Sequence, residues 1–166
     1  TYKDYLNSKL ILFNELMKKN SYIIFDNELN ISKKLKNISK NKNLKTLTIG
    51  KKNSNVKIVD HKFENLKQRV TFSYNEKNFS FSTNLIGKVQ IKNLLMSIMA
   101  AHKSNISLEK AVKCISNIKP VKGRLEKIGS LKNNSFIILD YAHTPDALET
   151  CLQNIKEQFQ LRKINL

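Results

Sequence analysis

Helical and strand-like hydrophobic patterns alternate at the start of the chain, and this alternation constrains the fold more than any other feature. The first pattern repeats every three or four residues and places four side chains on one helical face: Leu6, Leu10, Phe13 and Met17. It predicts an amphipathic helix over residues 5–19. A short apolar run at residues 21–25 predicts a buried strand, and a second helix is expected over residues 29–38. The order helix, strand, helix indicates an α/β sheet.

The middle of the chain adds further strands. Strand-like runs occur at residues 45–49 and 56–59. Residues 69–74 and 78–83 then alternate between apolar and polar side chains on either side of a short polar turn, which predicts a β-hairpin. A helical pattern returns over residues 93–101. We therefore expect a mixed sheet that carries helices and a β-hairpin.

Pro120 marks the end of this region. Ser107 is placed to cap a last helix, and proline cannot extend that helix because it lacks the backbone N–H. We therefore predict one domain over residues 1–119, a linker over residues 120–134, and the start of a second domain over residues 135–166.

The second domain begins with a strand-to-helix pattern. Residues 136–139 are all apolar, as expected of a parallel-sheet strand that is covered on both faces. Thr144 and Pro145 fit the N-cap and first turn of a helix that should end near residue 159. Residues 163–166 have the pattern of another strand. These elements predict the first β-α unit of a Rossmann-like domain that breaks off inside its second unit.

Composition and charge limit the partners. The formal charge of +17 raises the question of nucleic acid, but Lys and Arg are spread over almost every segment, so no nucleic-acid partner is expected. Cys114 and Cys151 lie far apart without CxxC spacing, which favours a reducing, cytoplasmic setting. The longest apolar stretch, residues 94–101, is too short to span a bilayer, and no secretory signal pattern is present. We expect no membrane association.

The segment Asp140-Tyr141-Ala142-His143-Thr144-Pro145-Asp146-Ala147-Leu148 is the most specific motif of the chain. It resembles the strand-to-helix signature of the Mur ligases, in the branch of the UDP-N-acetylmuramoyl-tripeptide synthetases. The resemblance implies that Asp140 and His143 contribute to nucleotide binding, with the Asp140 carboxylate accepting hydrogen bonds from ribose hydroxyls. From the residues alone, Asp140 is also explained as a carboxylate that caps a turn, and His143 as a packed or solvated side chain.

The segment Pro120-Val121-Lys122-Gly123-Arg124-Leu125-Glu126 is similar to the linker between the central and C-terminal domains of the same family. The resemblance implies that Arg124 reaches the phosphates of ATP. A guanidinium suits that task because it is always charged and donates several hydrogen bonds in a fixed geometry.

The segment Gly87-Lys88-Val89-Gln90-Ile91-Lys92-Asn93-Leu94-Leu95 resembles the family's helix start whose amides lie near adenine. Asn93 fits the second amide of that pattern, which both donates to and accepts from a base edge. Gln90 stands where the family pattern has Asn. Both residues are also explained as an ordinary polar helix face.

The segment Tyr5-Leu6-Asn7-Ser8-Lys9-Leu10-Ile11-Leu12-Phe13 resembles the helix that carries the family's carbamylated lysine. An uncharged lysine amine captures CO2 to give a carbamate, an oxygen ligand of the kind that Mg2+ prefers. The resemblance therefore implies that Lys9 is a catalytic residue and holds Mg2+. Without it, a lysine on an amphipathic helix is a solvent-facing side chain.

The resemblance implies an ATP- and Mg2+-dependent ligase. Such an enzyme phosphorylates the terminal carboxylate of UDP-N-acetylmuramoyl-L-alanyl-D-glutamate, and the amino group of meso-diaminopimelate or lysine attacks the acyl phosphate. The intact enzyme is expected to be a monomer. The chain has no Gly-x-x-x-x-Gly-Lys-Thr phosphate loop, so we expect it to be a fragment that is inactive by itself.

Other classes stay open. A folylpolyglutamate synthetase-like ligase would share the ATP chemistry, although residues 144–148 and Tyr141 argue against it. A basic nucleic-acid-binding module and a non-catalytic remnant are the remaining alternatives.

Overall fold

The computed structural model describes residues 1–64, 66–160 and 162–166. Within them the chain forms helices and strands with these bounds: α1 (Tyr2–Ile11), β1 (Tyr22–Asp26), α2 (Ser32–Asn41), β2 (Lys45–Gly50), β3 (Val56–Glu64), β4 (Lys67–Tyr74), β5 (Lys77–Thr83), α3 (Lys88–Lys103), α4 (Leu108–Lys113), β6 (Glu126–Ser130), β7 (Phe136–Leu139) and α5 (Pro145–Gln158). A π-helical turn, Leu12–Leu16, continues α1, and a 3-10 turn, Cys114–Asn117, follows α4.

The first five strands form one mixed sheet in the order β1-β2-β3-β4-β5. β1, β2 and β3 are parallel, whereas β3, β4 and β5 pair in antiparallel fashion. The predicted α/β class, the mixed sheet and the β-hairpin are therefore confirmed. The predicted helix over residues 29–38 exists as α2, but it begins at Ser32 because residues 27–31 form turns after β1.

Helices cover both faces of β1. Ile23 and Phe25 pack into a cluster with α1 and α2, whereas Ile24 packs against the larger core beneath α3. The four side chains predicted on the inner face of the first helix belong to this packing: Leu6, Leu10, Phe13 and Met17. The larger core joins α3 and α4 to β2 through β5, and Leu95 and Met99 are fully buried within it. Burial of this apolar surface is the main force that holds α3 on the sheet.

The strand at residues 136–139 differs from the prediction. β7 pairs with β6 in an antiparallel two-stranded sheet, and its side chains alternate between half-buried and exposed. Ile137 and Leu139 are 42% and 47% exposed, because only the face of β7 that bears Phe136 and Ile138 packs against α5. The expectation of a parallel strand covered on both faces was wrong for the described chain.

Residues 163–166 form no strand in the described chain, so the strand expected there was wrong. β6 lies inside the segment predicted as a linker, residues 120–134, and the domain boundaries stay predictions.

Among the described residues, no helix combines the length and the apolar character that a membrane span requires.

Candidate functional site

Asp140 joins the linker to the loop that follows β7. Its Oδ2 accepts a hydrogen bond from the Leu125 amide at 2.8 Å, and its Oδ1 accepts one from the Ala142 amide at 2.9 Å. The Tyr141 amide donates to the Gly123 carbonyl oxygen at 2.9 Å. Both carboxylate oxygens of Asp140 therefore accept hydrogen bonds from backbone amides, as the turn-capping interpretation predicted. Through these bonds the structure brings the segments of Arg124 and Asp140 together.

The backbone around Arg124 forms a tight turn. The Arg124 amide donates to the Val121 carbonyl oxygen at 3.1 Å, and Gly123 and Leu125 have φ angles of +68° and +47°. Leu125 is buried beside Ile86 and Phe159, whereas Arg124 is exposed. The turn therefore anchors its apolar residue in the core and leaves the neighbouring guanidinium in solvent. Among the described residues, no salt bridge engages Arg124.

His143 lies at the start of α5 in an exposed position. Its Nδ1 is 2.9 Å from the Tyr141 carbonyl oxygen, and its ring meets the Tyr141 ring edge to face with centroids 5.1 Å apart. The Thr144 hydroxyl accepts a hydrogen bond from the Ala147 amide at 3.3 Å, and Pro145 occupies the first turn. The predicted helix start is confirmed. His143 and Tyr141 form an exposed aromatic pair beside Asp140.

Asn93 is exposed on α3, and Gln90 is half-buried one turn before it. The first turn of α3 contacts α5, the helix that follows the Asp140 loop. The Val89 amide donates to Asn154 Oδ1 at 3.1 Å, and Lys88 Nζ lies 3.2 Å from Glu157 Oε2. Asn93 therefore lies on a helix that packs against α5, and Asp140 lies in the loop that precedes α5.

A charged cluster at the carboxyl end of β1 was not identified from the sequence. Lys92 Nζ lies 2.6 Å from Asp26 Oδ2 and 2.7 Å from Glu28 Oε2. Asp26 ends β1 and is buried, so it brings a carboxylate to the edge of the sheet where ligands of α/β proteins bind. The available signal was the position of Asp26 directly after the apolar run of residues 21–25.

The pKa values of Lys92 and Glu28 shift because these side chains are paired. Burial by itself would lower the pKa of Lys92, but the hydrogen bonds to Asp26 and Glu28 outweigh burial and raise that pKa above its ordinary value. The hydrogen bond from Lys92, followed by one from the Lys51 amide, lowers the pKa of Glu28. The hydrogen bonds of Lys92 to Asp26 and Glu28 therefore tie α3 to the carboxyl end of β1.

Lys9 is exposed on α1, and its ammonium lies 4.8 Å from the centroid of the Tyr5 ring. A cavity beside this helix is lined by α1, the π-helical turn and α2: Asp4, Asn7, Ser8, Leu10, Ile11, Asn14, Glu15 and Lys34. None of these residues belongs to the linker or to the Asp140 loop. The structure thus brings Arg124, Asp140 and His143 together and connects the helix that carries Asn93 to them through α5. Lys9 lies on α1, which with the π-helical turn and α2 supplies every lining residue of the neighbouring cavity.

Comparison with protein families gives two matches. Residues 1–101 match the Mur ligase middle domain, and residues 123–166 match the Mur ligase glutamate ligase domain. The segment between them, residues 102–122, contains α4, the 3-10 turn and Pro120.

Two curated relatives carry the name UDP-N-acetylmuramoyl-L-alanyl-D-glutamate--2,6-diaminopimelate ligase. The protein from Rickettsia montanensis is 33% identical over 156 residues, which is 94% of this chain and 32% of the relative. The protein from Rickettsia felis is 38% identical over 122 residues, which is 74% of this chain and 22% of the relative. The chain thus spans about a third or less of the length of these relatives.

Solved structures share the fold. A UDP-N-acetylmuramoyl-L-alanyl-D-glutamate--2,6-diaminopimelate ligase superposes with a TM-score of 0.75 at 22% identity and covers 94% of this chain and 32% of its own. The folylpolyglutamate synthetase from Lactobacillus casei superposes with a TM-score of 0.73 at 16% identity, over 97% of this chain and 41% of its own. At these identities the likeness concerns the fold alone.

Proposed function

Because the chain belongs to the Mur ligase family, which residues 1–101 match through its middle domain, we propose that it is part of an ATP-dependent ligase that adds 2,6-diaminopimelate to UDP-N-acetylmuramoyl-L-alanyl-D-glutamate. The names of the relatives that are 33% and 38% identical support this substrate pair. The structural observation that carries the proposal is the junction at Asp140, which holds the exposed Arg124 beside the exposed start of α5. The intact ligase is proposed to act as a monomer.

The residues near the Asp140 junction offer the hydrogen-bond acceptors and donors that a nucleotide requires. Each carboxylate oxygen of Asp140 accepts one backbone hydrogen bond, and a carboxylate oxygen offers two acceptor positions, so both oxygens retain one for a ribose hydroxyl. Arg124 is exposed and available for phosphate oxygens. We assign Asn93 to the edge of the base and His143 to the rim of the same site. ATP is then bound between α3 and the loop after β7.

Lys9 is proposed to hold Mg2+ as a carbamate. Its exposed amine is accessible to CO2, and no group of three or more His, Cys, Asp or Glu side chains that would bind a metal occurs within residues 1–64, 66–160 and 162–166. Carbamylation would give α1 an anionic oxygen ligand, which suits Mg2+ better than any nitrogen donor. Bound Mg2+ would neutralise charge on phosphate oxygens during phosphoryl transfer.

A folate-dependent ligase has the same fold, so the fold does not discriminate between the two substrates. The residues at 144–148 and the relatives' names favour the muramoyl substrate.

The two cysteines, Cys114 and Cys151, are free, which fits a protein of the reducing cytoplasm.

Steady-state kinetics of the intact protein that contains this chain tests the proposal. ADP release should depend on UDP-N-acetylmuramoyl-L-alanyl-D-glutamate together with 2,6-diaminopimelate, and lysine should support it less well. Arg124→Gln should lower kcat/KM for ATP about tenfold to a hundredfold, because a hydrogen bond between charged groups is lost. Lys122→Gln removes a positive charge from an exposed neighbour in the same turn and should change kcat/KM by less than about twofold. Equal losses in the two variants, or turnover with a folate substrate, would refute the assignment.

A further inference from the structure

The N-terminus of α3 has no side-chain cap of its own. Gly87 occupies the N-cap position, and no local side chain accepts a hydrogen bond from the first amides of the helix. Such amides need acceptors, because the first turn of a helix offers them no backbone partner. Two side chains of α5 supply the acceptors. Gln158 Oε1 accepts from the Gly87 amide at 2.9 Å, and Asn154 Oδ1 accepts from the Val89 amide at 3.1 Å.

The contact is closely fitted. Gln158 is 6% exposed, and the two hydrogen bonds join residues that are 71 and 65 positions apart in the sequence. A Cβ atom at Gly87 would lie 2.8 Å from Leu125 Cδ1 and 2.9 Å from Asn154 Oδ1. An apolar cluster that contains Ile86, Leu125 and Phe159 lies beneath these bonds. The backbone of α3 therefore approaches α5 as closely as a glycine permits.

The backbone carbonyl oxygens of the loop before α3 also accept hydrogen bonds. The Gln68 amide group donates to the carbonyl oxygens of Leu85 at 2.6 Å and of Gly87 at 3.0 Å, and Gln68 is fully buried on β4. β4 thus fixes where the loop before α3 lies, whereas α5 satisfies the amides of the helix itself. Loss of the α5 contacts should loosen the first turn of α3 without displacing the loop.

We infer that Asn154 and Gln158 are positioning residues that cap α3 from α5 and thereby order the turn that carries Gln90 and leads to Asn93. The consequence for nucleotide binding rests on the proposed function, in which Asn93 contacts the base. The nucleoside side of the site is then completed by a helix that lies beyond the linker. α3 is fully ordered at its start only while α5 is docked.

Hydrogen-deuterium exchange of the intact protein, followed by mass spectrometry of peptides that cover residues 87–91, tests the cap directly. Asn154→Leu keeps the approximate size of the side chain and removes the acceptor. Exchange of these amides should become about fivefold to tenfold faster, the factor that corresponds to the loss of a helix cap. Gln153→Leu is the matched control, since Gln153 is exposed on the same helix and bonds to Glu149 within α5. It should leave the exchange unchanged.

The conservative variant separates capping from packing. Asn154→Asp keeps an acceptor for the Val89 amide, and its negative charge lies at the positive end of α3, so exchange at neutral pH should stay within about twofold of the parent protein. If Asn154 acted by packing alone, both leucine and aspartate, which are close to asparagine in size, would preserve the protection. Unchanged exchange in Asn154→Leu, or equal loss in the Leu and Asp variants, would overturn the inference.

Kinetics distinguishes this inference from the proposed function. Asn154→Leu should raise KM for ATP about fivefold with kcat nearly unchanged, in parallel with the faster exchange. Asn93→Ala should raise KM for ATP without altering the exchange of residues 87–91. Faster exchange in Asn154→Leu with an unchanged KM in both variants would support the cap and would refute the proposed contact between Asn93 and the base.

Discussion

Replacing Gly87 with alanine is expected to destabilise the chain more than the same replacement at Gly123. Gly87 has φ +90° and ψ 143°, a backbone conformation that is close to glycine-only, and a side chain there costs about 1–3 kcal/mol. The new Cβ would also lie 2.8 Å from Leu125 Cδ1 and 2.9 Å from Asn154 Oδ1, and overpacking of this kind costs about 1–3 kcal/mol. The lower entropy of the unfolded alanine chain returns about 0.4–1 kcal/mol. The expected loss is therefore about 1–5 kcal/mol.

Gly123 is the matched control because it also has a positive φ, +68°, but no atom lies within 4 Å of the Cβ position. Gly123→Ala should therefore cost only the backbone strain, about 1 kcal/mol. Urea unfolding of the parent and both variants, compared at equal m-values, measures the two changes in the free energy of unfolding. A loss at Gly87 no larger than the loss at Gly123 would refute the close approach of α3 and α5.

Three further predictions follow from the charges and the composition of the chain. Lys92→Met should lower the free energy of unfolding at neutral pH by about 1–2 kcal/mol, because Asp26 would be left without its cation in a buried position. Because the folded state lowers the pKa of Glu28, this group stabilises the fold at pH values above its ordinary pKa of 4.5, and that stabilisation is lost as the pH falls through the folded pKa. The difference in unfolding free energy between the parent and Lys92→Met should therefore shrink in acid. A difference that stays constant with pH in urea titrations would contradict the pairing. The 166-residue chain alone should release no ADP with the muramoyl dipeptide, since it lacks a phosphate loop, and dipeptide-dependent release would disprove this. A crystal structure of the Mg2+-bound intact ligase, grown at ample CO2, should show Lys9 carbamylated, and a bare lysine beside the metal would rule out its proposed role.

Local signals in the sequence were reliable where a few neighbouring residues decide the conformation. The Ser107 hydroxyl accepts from the Lys110 amide at 3.3 Å, and Thr144 and Pro145 begin α5 as their types and order predict. Caps and first turns involve groups three residues apart, so the residue types are sufficient to predict them. The inward face of α1 was predictable for the same reason, since helical spacing places Leu6 and Leu10 on one side.

The strand at residues 136–139 shows where such signals end. An apolar run indicates that a strand is buried, but it does not say which strand lies beside it. In the described chain the neighbour is β6, from the segment predicted as a linker, and one face of β7 is open. Strand pairing depends on a second segment that the pattern of the first does not specify.

The sequence by itself determined the α/β class, the order of the elements from α1 to α4, and the segments that carry Lys9, Asn93, Arg124 and Asp140. Only the tertiary structure showed that both oxygens of Asp140 hold backbone amides, that Lys92 pairs with Asp26 across 66 positions, and that α5 caps α3. The physical reason is the separation along the sequence between the groups that interact. Helix periodicity and capping arise between residues a few positions apart, whereas a buried charge or amide is satisfied by whichever partner the packed core brings within hydrogen-bond distance.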